Sequence, residues 1–202
     1  MTKIILLVFT LISFPVAANI PKEIVEWSKA HVYRVKSIKG SGSGFFISDS
    51  KALTACHIVD QSVTVRVYND KSYFTMVVDK CDRELDLAVL SLKEGEKAEY
   101  KAIISQARPP LGRVLYGAGH PLGLPLMIGK GHAQSTYEGS EYFISVPTIS
   151  GNSGGAILSL IDSAVIVEGV SVGFYADGKK NPMPHLALAM SGKAINQLLG
   201  LD

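Results

Sequence analysis

Apolar and polar side chains alternate along much of the chain. Val63, Val65 and Val67 are separated by polar or amphipathic neighbours, which is the pattern of a half-buried strand. Short apolar runs of similar length predict further strands at Val32–Ile38, Phe45–Ser48, Tyr73–Asp79, Leu87–Leu92, Arg113–Tyr116, Leu126–Gly129, Tyr142–Val146, Gly155–Leu160, Ala164–Phe174 and His185–Met190. About a dozen short strands predict an all-β fold of barrels or sandwiches.

Two helices are predicted near the ends of these strands. Residues 21–30 begin with a proline and carry apolar side chains at loose helical spacing. Residues 191–200 offer Ser191 as a cap and place Ala194, Ile195 and Leu198 on one face. Between the two halves, residues 93–112 are polar and end in two prolines. We therefore expect residues 19–92 and 113–202 to form two β-rich halves joined by a 93–112 connector.

Residues 1–18 have the three regions of a secretory signal peptide. Lys3 precedes the apolar run Ile4–Phe14, and small residues follow up to Ala18. Because a bilayer span needs about 20 residues, this run predicts a leader cleaved after Ala18, leaving no stable membrane span. An uncleaved N-terminal anchor is the alternative. We expect a secreted or periplasmic protein.

Composition excludes several classes of protein. Apolar residues are 47% and charged residues 19% of the 202 positions, so the chain can bury a sizeable core. A net charge of +2 does not favour a nucleic-acid partner. Two cysteines cannot form a Cys-only zinc site. His31, His120 and His132 lack partners at metal-ligand spacing, so we expect no metal and no cofactor.

Three segments together indicate nucleophilic catalysis. His57 ends an apolar strand, Asp86 opens another, and Ser153 lies in a glycine-rich turn. A serine hydroxyl needs an imidazole to take its proton, and a carboxylate must hold that imidazole in the correct tautomer. Flanking glycines let the backbone turn and aim N–H groups at a developing oxyanion. Each segment alone has an ordinary structural explanation, but together they indicate a hydrolytic site.

The motifs around these residues resemble the trypsin-like (chymotrypsin-fold) serine proteases, closest to the bacterial HtrA/DegP-like branch. The matching segments are GSGSGFFIS at 40–48, LTACHIV at 53–59, DLAVL at 86–90, GAGHPLGLP at 117–125, GNSGGAIL at 151–158 and HLALAM at 185–190. The resemblance implies two perpendicular six-stranded antiparallel β-barrels with the site between them. It also implies a serine endopeptidase that acts on a peptide or protein substrate.

By this resemblance, Ser153 is the nucleophile, His57 the general base and Asp86 the residue that orients the histidine. The oxyanion hole would be the backbone N–H groups of Gly151 and Ser153. The resemblance implies that residues 169–173, with Ser171 among them, form the strand that binds the substrate backbone, and that Ser171 also supports Asp86. Val172 and Gly173 would bind the substrate backbone.

The same resemblance indicates which residues form the specificity pocket. Pro147 would lie at its base and is uncharged, which disfavours cleavage after Lys or Arg. Thr148 and His185 would line it. A small apolar side chain is the favoured occupant, while a Glu or Gln held by Thr148 and His185 remains open.

Two departures from the family pattern affect regulation. Asn152 stands where zymogen-activated relatives carry an aspartate, so activation by insertion of a new N-terminus is not implied. We also expect no PDZ domain.

Cys56 and Cys81 leave two alternatives open. In an exported protein they would form a disulfide closing a loop of 25 residues, and otherwise they are two buried thiols. A Cys nucleophile is not expected.

Function also has competing interpretations. The leading one is an exported serine endopeptidase, of broad or narrow substrate range. The alternative is a catalytically silent protease-fold protein with a binding or chaperone-like role, since a fold alone does not decide activity.

Overall fold

The computed structural model describes residues 19–92, 102–134 and 139–201, in which thirteen strands and three α-helices lie. The predicted leader and residues 93–101 of the predicted connector fall outside the described residues. In chain order the elements are α1 Lys22–His31, β1 Val32–Lys36, β2 Ser41–Phe46, β3 Lys51–Ala55, α2 Cys56–Val59, β4 Thr64–Tyr68, β5 Tyr73–Asp82, β6 Leu87–Leu92, β7 Ile103–Ile104, β8 Val114–Gly119, β9 Met127–His132, β10 Glu141–Ile144, β11 Ala156–Ile161, β12 Ala164–Ala176, β13 Pro182–Ser191 and α3 Gly192–Leu199.

The N-terminal half is a closed antiparallel barrel with strand order β1-β2-β3-β6-β5-β4. Period-two alternation places one face of each strand inside; in β4 only Val65 and Val67 are fully buried. These valines pack with Val35, Met76 and Leu90 in the interior. Burial of each such side chain contributes about 1.5–3 kcal/mol, so this pattern fixes which face of each strand points inward.

The C-terminal half is a curled sheet in the order β10-β13-β12-β11-β8-β9, with short β7 pairing parallel to β12. Its two edges approach each other beyond β9. Gln134 donates its N–H to Phe143 O at 2.8 Å, and Ser145 donates to His132 O at 3.0 Å. The predicted all-β architecture is confirmed, and the second half closes through these few hydrogen bonds rather than through a full strand pair.

One apolar core joins the halves. Leu53 and Leu87 of the barrel pack in the same cluster as Leu158 and Val170 of the second sheet. Helix α3 covers this core with Ile195 and its neighbours, and its N-terminus is capped by the Ser191 hydroxyl, which accepts the N–H of Ala194 at 3.4 Å. Both predicted terminal helices are present. Among the described residues, no helix is long and apolar enough to cross a membrane.

Strand β2 begins at Ser41, four residues before the strand predicted at Phe45–Ser48. Glycine is required in this strand because the backbone of a distant segment comes close to it. A Cβ on Gly42 would lie 2.8 Å from the carbonyl oxygen of Ser153. A contact with a residue so distant in sequence leaves no local signal, so the glycine-serine run before Phe45 was not predicted to belong to the strand.

A disulfide joins Cys56 in α2 to Cys81 in β5. The alternative of two free thiols is therefore wrong. On the chain-entropy model, closing this loop of 25 residues stabilises the fold by about 3.5 kcal/mol. The bond also anchors the residue next to His57 to the barrel wall.

Candidate active site

Asp86 holds both the backbone and the ring of His57. Its Oδ1 accepts the His57 backbone N–H at 2.9 Å, and its Oδ2 lies 2.6 Å from His57 Nδ1. The carbonyl of Asp86 accepts the N–H of Cys56 at 3.1 Å. Because a carboxylate only accepts, Nδ1 carries the proton and Nε2 is left as a proton acceptor.

The backbone at Asp86 adopts an unusual conformation to make these contacts. Its φ is +48°, in the left-handed region that costs an ordinary L-residue roughly 1–2 kcal/mol. The preceding turn is fixed by Asp82, whose Oδ1 accepts the N–H groups of Glu84 and Leu85 at 3.0 Å each. Asp86 then leads directly into buried strand β6. The turn thus presents the carboxylate at the rim of the barrel, where His57 lies in α2, two residues after the end of β3.

The turn that carries Ser153 depends on Gly151. Its φ is +94°, and a Cβ there would lie 2.5 Å from Leu122 N. The preceding carbonyl, of Ser150, accepts the Leu122 N–H at 2.8 Å and so points away from the turn. Within the described residues, the N–H groups of Gly151 and Ser153 donate to no acceptor. Two unpaired amides beside a hydroxyl are the geometry that an oxyanion requires.

The Ser153 hydroxyl lies between the two halves. Its Oγ is 3.5 Å from the carbonyl oxygen of Val172 in β12. In the part of the chain that the structure describes, no hydrogen bond joins it to the His57 ring. The side chain of His57 is 45% exposed. In this structure His57 is therefore bonded directly to Asp86, while the Ser153 hydroxyl makes a long contact with the Val172 carbonyl in β12.

Ser43 is a positioning residue that the sequence analysis did not identify. It is fully buried, its N–H donates to Ser153 O at 2.8 Å, and its hydroxyl donates to Gly151 O at 2.7 Å. The same hydroxyl accepts the backbone N–H of His120 at 2.8 Å. One side chain thereby connects β2 both to the serine turn and to the loop after β8. Its motif, GSGSG, was noted, but no local pattern indicates these distant partners.

The expectation that Ser171 supports Asp86 is wrong. The Ser171 hydroxyl is buried and has no hydrogen-bond partner. Side chains alternate along β12, so Ser171 points toward Pro147 and Thr148, while Val172 packs against the core shared by the two halves. The backbone of Ser171 is bonded to the serine turn, because its carbonyl accepts the N–H of Gly154 at 2.7 Å.

The residues assigned to the specificity pocket surround a cavity of only about 10 Å³. Pro147, Thr148 and Ser171 line it, and the Thr148 hydroxyl already donates to Val146 O at 3.1 Å. A space of this size is at the lower limit for one water molecule. His185 is exposed, lies outside this lining and places its Nδ1 3.5 Å from Ser145 O. Gly173 is half-buried in β12, next to Val172.

Among the described residues, no three His, Cys, Asp or Glu side chains are grouped so that they could hold a metal ion. Asn152 donates its N–H to Ile149 O at 3.0 Å, and its Oδ1 lies close to Gly119. The chemistry available at this site is therefore that of an imidazole, a carboxylate, a hydroxyl and two free amides.

The chain matches a family of known proteins over more than half of its length. A family model described as "Trypsin-like peptidase domain" matches residues 42–166. The periplasmic pH-dependent serine endoprotease DegQ of Escherichia coli is 30% identical over 156 residues, which are 67% of this chain and 34% of DegQ. The chain thus spans about a third of the length of that relative.

Solved structures share the fold. The active form of the Rv3671c protease from M. tuberculosis aligns with a TM-score of 0.76 at 19% identity, covering 97% of this chain and 93% of that one. The serine endoprotease from Yersinia pestis aligns with a TM-score of 0.74 at 19% identity, covering 90% of this chain and 67% of that one.

Ser43→Ala should lower the free energy of unfolding by about 1–3 kcal/mol, because it leaves the Gly151 carbonyl and the buried His120 N–H without their partner. Urea unfolding of the purified protein measures this loss. Ser41→Ala is the matched control, since Ser41 is exposed in the same strand. Equal stability of the two variants would contradict the role assigned to Ser43.

Proposed function

The chain belongs to the trypsin-like peptidase domain family, of the HtrA type, and we propose that it is a serine endopeptidase acting through a Ser153-His57-Asp86 triad. The observation that carries the proposal is the double hold of Asp86 on His57, with Nδ1 2.6 Å from the carboxylate. That contact is what prepares an imidazole to act as a general base. The two unpaired amides beside Ser153 support it further.

In the first half of the reaction, Ser153 Oγ attacks the carbonyl carbon of the scissile peptide bond. Its proton passes to His57 Nε2, and the carboxylate of Asp86 stabilises the imidazolium that forms. The hydroxyl first turns from the Val172 carbonyl, 3.5 Å away, toward the ring. Since a 3.5 Å contact is long for an O–H donor, little is lost in this rotation.

The negative charge on the attacked carbonyl oxygen is stabilised by the N–H groups of Gly151 and Ser153. Each such donor contributes about 3–4 kcal/mol to the transition state. The Ser150 carbonyl is held by Leu122 and does not compete for this space. Both amides are therefore available before the substrate arrives.

The intermediate collapses when His57 gives its proton to the leaving amine and the C–N bond breaks. A water molecule then attacks the acyl-enzyme, again losing its proton to His57, and the acid product leaves as Ser153 regains its hydrogen. No group besides the triad, the two amides and water is needed.

For the substrate, we propose an extended peptide that pairs with β12 at Val172 and Gly173. The residue that supplies the attacked carbonyl is small and apolar. The cavity of about 10 Å³ beside Pro147 and Thr148 favours this class. A Glu or Gln is less well supported, because Thr148 is already bonded and His185 lies outside the lining.

We also propose that the protein acts outside the cytoplasm after cleavage of a leader at Ala18. The pattern of residues 1–18 supports export, and DegQ, a relative, is periplasmic. The disulfide is in keeping with an oxidising compartment.

A catalytically silent binding protein is the second candidate, because the Ser153 hydroxyl is not hydrogen-bonded to His57 in the described residues. A fluorophosphonate probe separates the two. We expect the wild-type protein to be labelled covalently at Ser153, because His57 activates its hydroxyl. Ser153→Ala should not be labelled, while Ser50→Ala, which changes an exposed serine just before β3, should react like the wild type. Absence of labelling in the folded wild type would favour the silent binding protein.

Cleavage of a peptide library by the purified protein, followed by mass spectrometry, tests the pocket. We expect most cuts after Ala, Val or similarly small residues, because the space beside Pro147 is narrow and uncharged. Efficient cleavage after Lys or Arg would contradict this assignment of the pocket, and a preference for Glu would restore the alternative role of His185.

A further inference from the structure

A second groove, of about 450 Å³, lies on the outer face of the barrel. We call it the basic groove, and it is lined by Arg34, Lys36, Ser41, Gly42, Arg66, Tyr68, Tyr73, His120 and Gly123. The strand registers explain this grouping, because Ser41, Lys36 and Arg66 are direct neighbours across β2, β1 and β4. Three cations therefore converge on a single concave surface.

Arg34 already has partners. Its Nε and Nη2 donate to the carbonyls of Gly123 and Leu124 at 3.2 Å, and its Nη1 lies 3.3 Å from the carboxylate of Asp70. It also lies over the ring of Tyr68, 5.8 Å from the centroid. Arg34 thus links the loop after β8 to the barrel and contributes little free charge to the groove.

Lys36 and Arg66 are the cations that remain. Both are exposed, and neither is within ion-pair distance of a carboxylate in the described residues. They are directly opposite each other in the β1–β4 pair, an arrangement that destabilises a sheet. A like-charge pair held at the edge of a concave surface is relieved when an anion binds between its members.

His120 contributes to the shape of the basic groove but not to its charge. Its ring is buried, and Nδ1 lies 3.1 Å from Leu124 O. Burial lowers the pKa of His120 below its ordinary value, so the ring is neutral at neutral pH. The positive potential in the groove therefore comes from Lys36 and Arg66.

The basic groove adjoins the candidate active site at Gly42. Gly42, which lines it, comes so close to Ser153 that a Cβ would lie 2.8 Å from the Ser153 carbonyl. On its other side, the Ser153 hydroxyl faces Val172 of β12. A peptide whose acyl half pairs with β12, as proposed above, would then run over β2 toward the groove after it passes the hydroxyl.

We propose that the basic groove binds an acidic side chain of the substrate, two or three residues after the scissile bond. This rests on the proposed function, and it assigns a substrate class to the leaving-group side of the site. Ser41 lies one residue from Gly42, and Lys36 and Arg66 are one and two strands farther. At about 3.3 Å per residue and 4.8 Å per strand, that distance corresponds to two or three residues of extended peptide.

Binding without cleavage tests the proposal. In a Ser153→Ala background, fluorescence anisotropy would compare a labelled peptide carrying Asp and Glu at these positions with the same peptide carrying Asn and Gln. We expect the acidic peptide to bind about five- to tenfold more tightly, and the difference to shrink at high salt. Lys36→Gln with Arg66→Gln should abolish the difference, while Lys51→Gln, an exposed lysine in β3, should leave it intact.

Equal binding of the two peptides would overturn the proposal, and so would an acidic preference that survives the double Gln variant. The proposed function is assessed separately, by fluorophosphonate labelling of the wild type. If labelling succeeds and the peptides bind equally, the peptidase assignment stands without the acidic preference. If labelling fails and the acidic peptide binds through Lys36 and Arg66, the groove is a peptide-binding site without catalysis.

Discussion

The two hydrogen bonds between Asp86 and His57 are the interaction on which the proposed chemistry of this site depends. One carboxylate bonds the backbone and the ring of the same histidine, which fixes both the position and the tautomer of the imidazole. The left-handed backbone at Asp86 makes this geometry possible, and a well-packed barrel with a disulfide at Cys56 sustains it. The stability of the folded barrel thereby offsets the energetic cost of the strained turn at Asp86.

The second half of the molecule contributes the serine turn, and β2 connects the two halves. Ser43 bonds the carbonyls of Gly151 and Ser153, so the barrel that carries His57 also positions the turn with the nucleophile. The basic groove begins at the same strand. A single strand of small residues thereby serves the proposed oxyanion site on one side and the proposed leaving-group site on the other.

Patterns in the local sequence predicted much of the fold and of the candidate site. They did not reveal the features that depend on contacts between residues distant in sequence. A short apolar run located β6 at its observed bounds, Leu87–Leu92, because nearly every side chain of this strand is buried. The first four residues of β2 were missed, because its glycines are explained by Ser153 and not by their neighbours. Within the site, motif spacing indicated the three proposed catalytic residues. The direction of Ser171 depends on the strand's register, which includes an irregularity just after it, and no motif carries that information.

The most direct test is the rate at which a fluorophosphonate modifies Ser153 in Asp86→Asn compared with the wild type. Asparagine can still accept the His57 N–H, but its amide cannot enforce the required tautomer. We therefore predict a fall of roughly 10³- to 10⁴-fold at neutral pH, with the unfolding midpoint nearly unchanged. An unchanged rate in a folded variant would contradict the claim that Asp86 prepares His57 to activate Ser153.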